Sequence, residues 1–248
     1  MSKLSFAIPS KGRLKEQTEQ WLAGLGFPVS QIGGDRGYQA EIAGLGDVEM
    51  RLLSAREIAQ GLIDGSLHIG VTGEDLLHDL APEGPGDFRV VRQLGFGGAD
   101  VIVAVPQAWL DVDTMSDLEA AGAAFLKLHH RRLRVATKYM RLTRRFFAAK
   151  SVGEYRLVES AGATEAAPTT GAADVIVDIT STGATLRANG LKILSDGVIL
   201  KSEASFALSP TADWGEAAQA SCSKLLGRLA PGSTTDAKKL LNTFLTQV

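Results

Sequence analysis

The stretch that most constrains this chain is residues 174–185. Asp174, Val175, Ile176, Val177, Asp178 and Ile179 form a short, apolar, β-branched run, and Thr180-Ser181-Thr182-Gly183-Ala184-Thr185 follows at once. Residues 186–190 then read as a short helix. A buried strand therefore feeds a hydroxyl-rich turn that opens a helix. In such a turn several backbone N–H groups point the same way, at the positive end of the helix dipole, and the natural guest is a phosphate. Gly183 permits a positive φ and the close approach of a ligand. Ser181, Thr182 and Thr185 add hydroxyl donors without a repelling charge. Asp178, at the strand's end, cannot favour a phosphate itself, but it can accept from sugar hydroxyls or meet a hydrated magnesium ion. The same residues also fit a strand, a hydroxyl-stabilised turn and a helix cap that hold no ligand.

A second strand-to-helix junction begins the chain. Residues 4–8 read as a strand, and Leu14, Gln17, Trp21, Leu22 and Leu25 mark one helical face. Lys11 and Arg13, with Gly12 between them, fall at the helix start, where two cations suit an anionic ligand or simply face solvent. A third junction is residues 67–75. There a strand ends in Thr72-Gly73-Glu74-Asp75.

These segments resemble one family in order and spacing. DITSTGATLRANGL at 178–191 looks like the phosphoribosyl-diphosphate loop of the ATP phosphoribosyltransferases, the first enzymes of histidine biosynthesis. IPSKGRL at 8–14, IGVTGEDLL at 69–77, ATKYMRLTRRFF at 136–147 and ESAGATEAAP at 159–168 agree with it. The resemblance spans most of the first 210 residues, and the length fits the family's short form.

The resemblance implies an α/β fold with a two-domain, periplasmic-binding-protein-like (type II) architecture and the ligand cleft between the domains. The alternation of strands and helices agrees with mostly parallel sheets. Domain I would be 1–97 plus 191–248, and domain II 98–190, with the glycines of 95–98 as a hinge.

It also implies the site. The catalytic set would be Asp178, Glu165, Lys11 and Arg13. Phosphoribosyl diphosphate would be held by Thr180, Ser181, Thr182, Gly183, Ala184, Thr185 and Lys138, and ATP by Gly12, Thr72 and Gly73. Mg2+ would enter with the substrates, with Asp178 as its nearest protein group. The partners implied are a second copy of the chain and a regulatory subunit resembling histidyl-tRNA synthetase. Histidine alone would then inhibit this chain poorly. Two positions depart from the family pattern: His68 stands where an acidic residue is usual, and Arg56 is the nearest arginine to Ser54. His68 is expected to be a satisfied structural histidine.

Composition bounds the alternatives. The 248 residues are 45% hydrophobic and 22% charged, ample for one or two packed cores. The net charge of −2 offers nothing global to nucleic acid or membrane. One cysteine, Cys222, excludes an intramolecular disulfide and gives no zinc pattern. The start of the sequence lacks the apolar core of a secretory signal, and a cytoplasmic location is expected. Two rival classes stay open: a non-catalytic two-domain binding protein, and a ligand-responsive nucleic-acid regulator using the basic stretch 129–150.

Among local expectations, Ser54-Ala55-Arg56-Glu57 is a capping box, and Ser116-Asp117-Leu118-Glu119 reads as another. Residues 31–47 read as hairpin or loop. Residues 191–194 and 198–208 read as strands. Residues 217–229 and 235–248 read as amphipathic helices, the last with Leu240, Leu241, Phe244 and Leu245 as its stripe.

Overall fold

The computed structural model describes residues 3–33, 37–45, 47–160, 162–229 and 241–243. In chain order they form β1 (Leu4–Pro9), α1 (Gly12–Gly24), β2 (Val29–Ile32), β3 (Gln39–Ile42), β4 (Val48–Leu53), α2 (Ala55–Asp64), β5 (Ile69–Gly73), α3 (Glu74–Leu80) and β6 (Arg89–Gln93). Then come β7 (Ala99–Pro106), α4 (Met115–His129), β8 (Leu133–Thr137), α5 (Met140–Ala149), β9 (Tyr155–Glu159) and β10 (Val175–Thr180). The last elements are α6 (Ala184–Ala188), β11 (Leu191–Ser202), β12 (Ala204–Leu208) and α7 (Glu216–Leu229).

The chain divides into two compact units, one of residues 1–97 with 203–248, the other of residues 98–202. In the first unit the sheet order is β2-β3-β4-β1-β5-β12-β6. β1 lies parallel to β4 and β5, so all three point their C-terminal ends to one edge. β1 is buried at every position, as expected for a strand covered on both faces. Phe6, Trp21 and Phe206 meet in this core, with Phe6 and Phe206 edge-to-face at 6.0 Å. Cys222 belongs to the same core, and burial pushes its thiol up to about 12, which leaves it inert at neutral pH.

His68 is the structural histidine expected. Its Nδ1 accepts from the Ser5 amide at 3.1 Å, and its Nε2 lies 2.8 Å from the Asp213 carbonyl, which can only accept. The ring is therefore neutral with its hydrogen on Nε2, and it packs edge-on against Trp214.

In the second unit the sheet order is β11-β7-β10-β8-β9. β10 runs parallel to β8 and antiparallel to β7, and β8 is parallel to β9. The C-terminal ends of β8, β9 and β10 thus gather at one edge, where open α/β sheets bind ligands.

Helix starts follow local chemistry where it exists. Ser54 and Glu57 exchange both bonds of the expected capping box, and Gly65 ends α2 in the left-handed region. The second box differs from the expectation. Thr114, not Ser116, caps α4, with Asp117 as its reciprocal partner. The helix begins earlier, on this Thr-x-x-Asp box, and Asp196, 81 residues on, also accepts from the Met115 amide at 2.7 Å. The hairpin of β2 and β3 overlaps the segment 31–47 expected as hairpin or loop, but begins earlier, at Val29.

The boundary near residue 190 also needs correction. Residues 191–202 form β11, which pairs with β7, so they belong to the second unit. The expected strand 198–208 is broken at Glu203, between β11 and β12. Of the expected helix 235–248, Leu240, Phe244 and Leu245 lie outside the described residues. Leu241 is buried. Among the described residues no helix is long and apolar enough to cross a membrane.

An ion cluster clamps the other end of β10. Asp174 receives both guanidinium nitrogens of Arg131, at 2.7 and 2.9 Å, and the Arg134 amide at 2.8 Å. Burial alone would raise its pKa, but the donors from Arg131 and Arg134 together hold the carboxyl well below the usual range. A depressed pKa contributes stability that is present above the unfolded value, roughly 3.9, and is lost as pH falls through the folded one. Asp174→Asn should therefore cost about 1–2 kcal/mol at pH 7, discounted for the exposure of Arg131, and lower Tm by roughly 3–6 °C. Denaturation series at pH 7 and pH 3 check this. The gap between variant and parent should narrow at pH 3, and a pH-independent gap would show that the charge is not what Asp174 contributes.

Candidate active site

Val175, Ile176 and Val177 are fully buried, and the strand emerges at Asp178, Ile179 and Thr180, which are half-buried. The turn after it folds on its own hydroxyls. Thr180 Oγ1 accepts from the Gly183 amide at 2.9 Å, and Thr182 Oγ1 accepts from the Ala184 amide at 3.3 Å. Gly183 has φ +69°, the left-handed conformation that glycine adopts freely. The amides of Ser181, Thr182 and Thr185 make no hydrogen bond among the described residues. The turn is therefore a ready concavity of donors for an anion. The helix behind it is shorter than the dipole argument requires. α6 has five residues, so the individual N–H groups, not a macrodipole, supply the positive field.

Glu165, Asp178, Ile179, Thr180, Ser181, Thr182, Thr185 and Leu186 line one cavity of about 220 Å³. Two carboxyl-bearing residues thus border the donor-rich turn. Burial is the main reason the Asp178 carboxyl is raised above its ordinary value, and neighbouring Glu165 adds to it. The Ile179 amide, donating at 2.8 Å, and the cation of Lys138 pull the other way without cancelling it. Lys138 follows β8, and its ammonium sits 5.0 Å from the centre of the Tyr139 ring. The structure thus brings Asp178, Glu165, Lys138 and residues 180–185 to one edge of the second sheet. The arrangement can hold an anionic group on the turn and oppose two carboxylates to developing positive charge beside it.

Glu165 occupies the 3-10 turn Thr164–Ala166, not the first turn of an α-helix. Ala163 precedes it at φ +48°, a left-handed conformation that costs a residue other than glycine roughly 1–2 kcal/mol. Thr164 is buried, and its hydroxyl donates to Ser160 Oγ at 3.0 Å.

The remaining expected residues lie in the first unit, at the shared edge of β1, β4 and β5. Lys11, Gly12 and Arg13 are exposed at the start of α1, and neither cation makes an ion pair among the described residues. Gly12 has φ +73° with open space where a Cβ would stand. Thr72, expected beside ATP, does not present its side chain at the surface. It is fully buried, and its hydroxyl donates to the Ala55 carbonyl at 2.7 Å. A Cβ on Gly73 would meet the Asp75 carboxylate, which would have to move.

Other surfaces carry less chemistry. A groove of about 540 Å³ lies between the Ala108–Val112 turn and α4, but its walls are mostly apolar and no group of polar side chains converges in it. In the basic stretch, Arg131 and Arg134 pair with Asp174, Arg132 with Glu154 and Lys150 with Asp196. Four of the eight cations of the stretch are thus engaged in ion pairs within the fold.

With that geometry in view, comparison with known proteins is decisive. The profile of the family described as "HisG: ATP phosphoribosyltransferase" matches residues 54–230. The chain belongs to the ATP phosphoribosyltransferase family. An ATP phosphoribosyltransferase of Caulobacter vibrioides (strain NA1000 / CB15N) is 60% identical over 209 residues, which are 84% of this chain and 65% of that protein. One of Rhodopseudomonas palustris (strain BisB18) is 52% identical over 238 residues, 96% of this chain and 73% of that protein. The match to the Caulobacter protein thus spans just under two thirds of that relative's length.

Among solved structures, the ATP phosphoribosyl transferase (HisG:HisZ) complex from Thermotoga maritima aligns with TM-score 0.68 and 23% identity, over 95% of this chain and 98% of that one. The periplasmic aliphatic sulphonate binding protein SsuA from Escherichia coli aligns with TM-score 0.50 and 14% identity, over 98% of this chain and 70% of that one. Both likenesses concern the fold, a mixed α/β architecture of the type II periplasmic-binding-protein kind.

Proposed function

We propose that this chain transfers the phosphoribosyl group of phosphoribosyl diphosphate to N1 of the adenine of ATP, giving phosphoribosyl-ATP and diphosphate, the first step of histidine biosynthesis. The observation that carries the reading is the single cavity bordered by Asp178, Glu165 and the Thr180–Thr185 turn, in a chain of this family. N1 brings its own lone pair, so no side-chain nucleophile is required. The bond from N1 to C1 forms as the bond from C1 to diphosphate oxygen breaks, and the electron pair leaves with diphosphate. The barrier is positive charge at C1 and negative charge on the leaving group, which positioning and fixed charges lower.

In this reading the free amides of the turn hold the 5-phosphate. Asp178 and Glu165 face the ribose as it becomes cationic. Lys138 balances phosphate charge in the second unit, and Lys11 and Arg13 do so in the first. Gly12 and Gly73 let ATP approach the backbone, and Thr72 acts through its main chain alone. Mg2+ belongs to the diphosphate substrate. Among the described residues no cluster of three His, Cys, Asp or Glu could hold it, and one or two carboxylates fit an ion that keeps its waters and binds phosphate.

The chain is proposed to pair as a homodimer and to work with a regulatory subunit. Support for the subunit is the Thermotoga complex, whose title joins HisG to HisZ. Mixing the protein with ATP, phosphoribosyl diphosphate and Mg2+, with and without a HisZ-type subunit, should release diphosphate and form phosphoribosyl-ATP. Absence of both products in both mixtures, from protein that is folded, would overturn the reading. Sedimentation that finds a monomer at working concentration would overturn the pairing.

A further inference from the structure

The 3-10 turn that carries Glu165 is closed by its own backbone, the Ala166 amide donating to the Ala163 carbonyl at 3.0 Å, and on its C-terminal side Ala167 packs in the core with Ile176 and Leu186. The turn spans three residues, and Ala163 enters it in a left-handed conformation. At its N-terminal end the side-chain link to the sheet is a pair of hydroxyls. Thr164 is 4% exposed, and its hydroxyl donates to Ser160 Oγ at 3.0 Å, while Ser160 Oγ in turn reaches the Gly162 carbonyl at 3.4 Å. Ser160 itself is fixed to the end of β8, its amide donating to the Thr137 carbonyl at 3.0 Å. Thr137 Oγ1 accepts from the Tyr139 amide at 2.9 Å, across Lys138. One chain of hydrogen bonds therefore joins the backbone on both sides of Lys138 to the residue that precedes Glu165.

We propose that Ser160 and Thr164 are positioning residues, a hydroxyl pair that holds Glu165 at the cavity it shares with Asp178. The inference rests on the proposed transfer reaction for its kinetic readout, but not for its structural one. A buried threonine hydroxyl with an unpolarised partner would serve folding equally well anywhere. This one sits immediately before the only acidic residue that the turn presents to the cavity. The Thr164–Ser160 bond is partly buried, and a chain of this kind restricts the groups it joins.

The test compares Thr164→Val, which keeps the shape and deletes the hydroxyl, with Ser160→Ala, Thr164→Ser, Glu165→Gln and the double variant Thr164→Val/Glu165→Gln. Thr164→Val and Ser160→Ala should each lower kcat about tenfold while KM for both substrates stays within about threefold, since misplacement of a group used in the transition state spares ground-state binding. Thr164→Ser should restore kcat to within about twofold. The double variant should be no slower than Glu165→Gln, because both changes remove one function. A slow Glu165→Gln beside a Thr164→Val of normal kcat would overturn the positioning role, as would multiplicative losses in the double variant. Crystallography of Thr164→Val adds an arm that needs no turnover. Glu165 displaced by about 1 Å supports the proposal even if the parent protein forms no phosphoribosyl-ATP, and an unmoved Glu165 overturns it. An inactive but folded parent would instead count against the proposed reaction.

Discussion

Gly183→Val should weaken phosphoribosyl-diphosphate binding at least about 30-fold while the protein stays folded. The reason lies in the backbone. Gly183 is buried at φ +69°, ψ +4°, where a residue with a Cβ pays roughly 1–2 kcal/mol and a β-branched one more. If the turn must keep this conformation to present its amides, affinity falls about tenfold for each 1.4 kcal/mol by which that conformation is depleted.

The side chain itself does not enter the cavity. An ideal Cβ would lie 2.9 Å from Arg187 Nη1 and 3.8 Å from Ile193 Cδ1, on the side of a separate cavity of about 240 Å³. The guanidinium is the far end of a flexible side chain and can move aside. A valine here therefore acts through the backbone rather than by blocking the phosphate. That also separates two variants: Gly183→Asn, which tolerates the left-handed region, should bind several-fold better than Gly183→Val. Calorimetry with phosphoribosyl diphosphate checks both. Unchanged affinity in folded Gly183→Val would remove the turn from the binding site.

Why this turn was readable and other features were not follows from the range of the interactions. Residues 175–177 announce a buried strand by being β-branched and apolar without interruption, and they are fully buried. Ser54 with Glu57, and His68 as a neutral histidine held among backbone groups, also match their expectations. The cap of α4 did not: its box is Thr114 with Asp117, two residues before the one expected. Both boxes are local patterns; what the sequence does not show is that Asp196, on β11, also accepts from the Met115 amide at the earlier start. Residues 191–202 were placed with the wrong unit for the same kind of reason. A strand's composition shows that it is a strand, but only its pairing with β7 shows which sheet receives it.

The candidate site has the same division. Asp178 and the Thr180–Thr185 turn stand out in the sequence itself, and Glu165 through the family resemblance; Glu165, Asp178, Thr180, Ser181, Thr182 and Thr185 line one cavity. The use of the hydroxyls could not be named. Thr180 and Thr182 spend their oxygens on the amides of Gly183 and Ala184, and Thr72 turns inward to Ala55. Hydroxyl side chains serve equally well as ligands and as caps, and the choice depends on which backbone donor folds nearest. The Ser160–Thr164 pair lies four residues apart in a segment with no α-helical period, so no sequence spacing pointed to it.

Asp178→Asn should lower kcat by about 10²–10³, the scale of losing one fixed electrostatic partner of a transition state. The substitution keeps size and shape and removes only the charge. In the proposed reaction that charge faces a ribose becoming cationic, next to Glu165 and across from Lys138. Stability should move the other way. Burial, with a smaller push from Glu165, raises the Asp178 pKa, so the folded state disfavours the ionised form relative to the unfolded chain. A raised carboxyl pKa means that stability is gained as pH falls through the folded value and is reduced above it. At neutral pH the asparagine variant should therefore melt no lower than its parent. The acidic limb of the parent's rate profile, set by loss of the Asp178 charge, should lie above the ordinary aspartate range and vanish in the variant. Steady-state kinetics against pH, with Tm measured on the same samples, reads all three expectations. A turnover within about twofold of the parent, a change of only ~0.4 kcal/mol in the barrier, would leave Asp178 a structural residue at the end of a strand. A lost rate with a lowered Tm would trace the defect to folding. Only a slow enzyme of undiminished stability fits a carboxylate that is kept, at a cost to the fold, for the reaction.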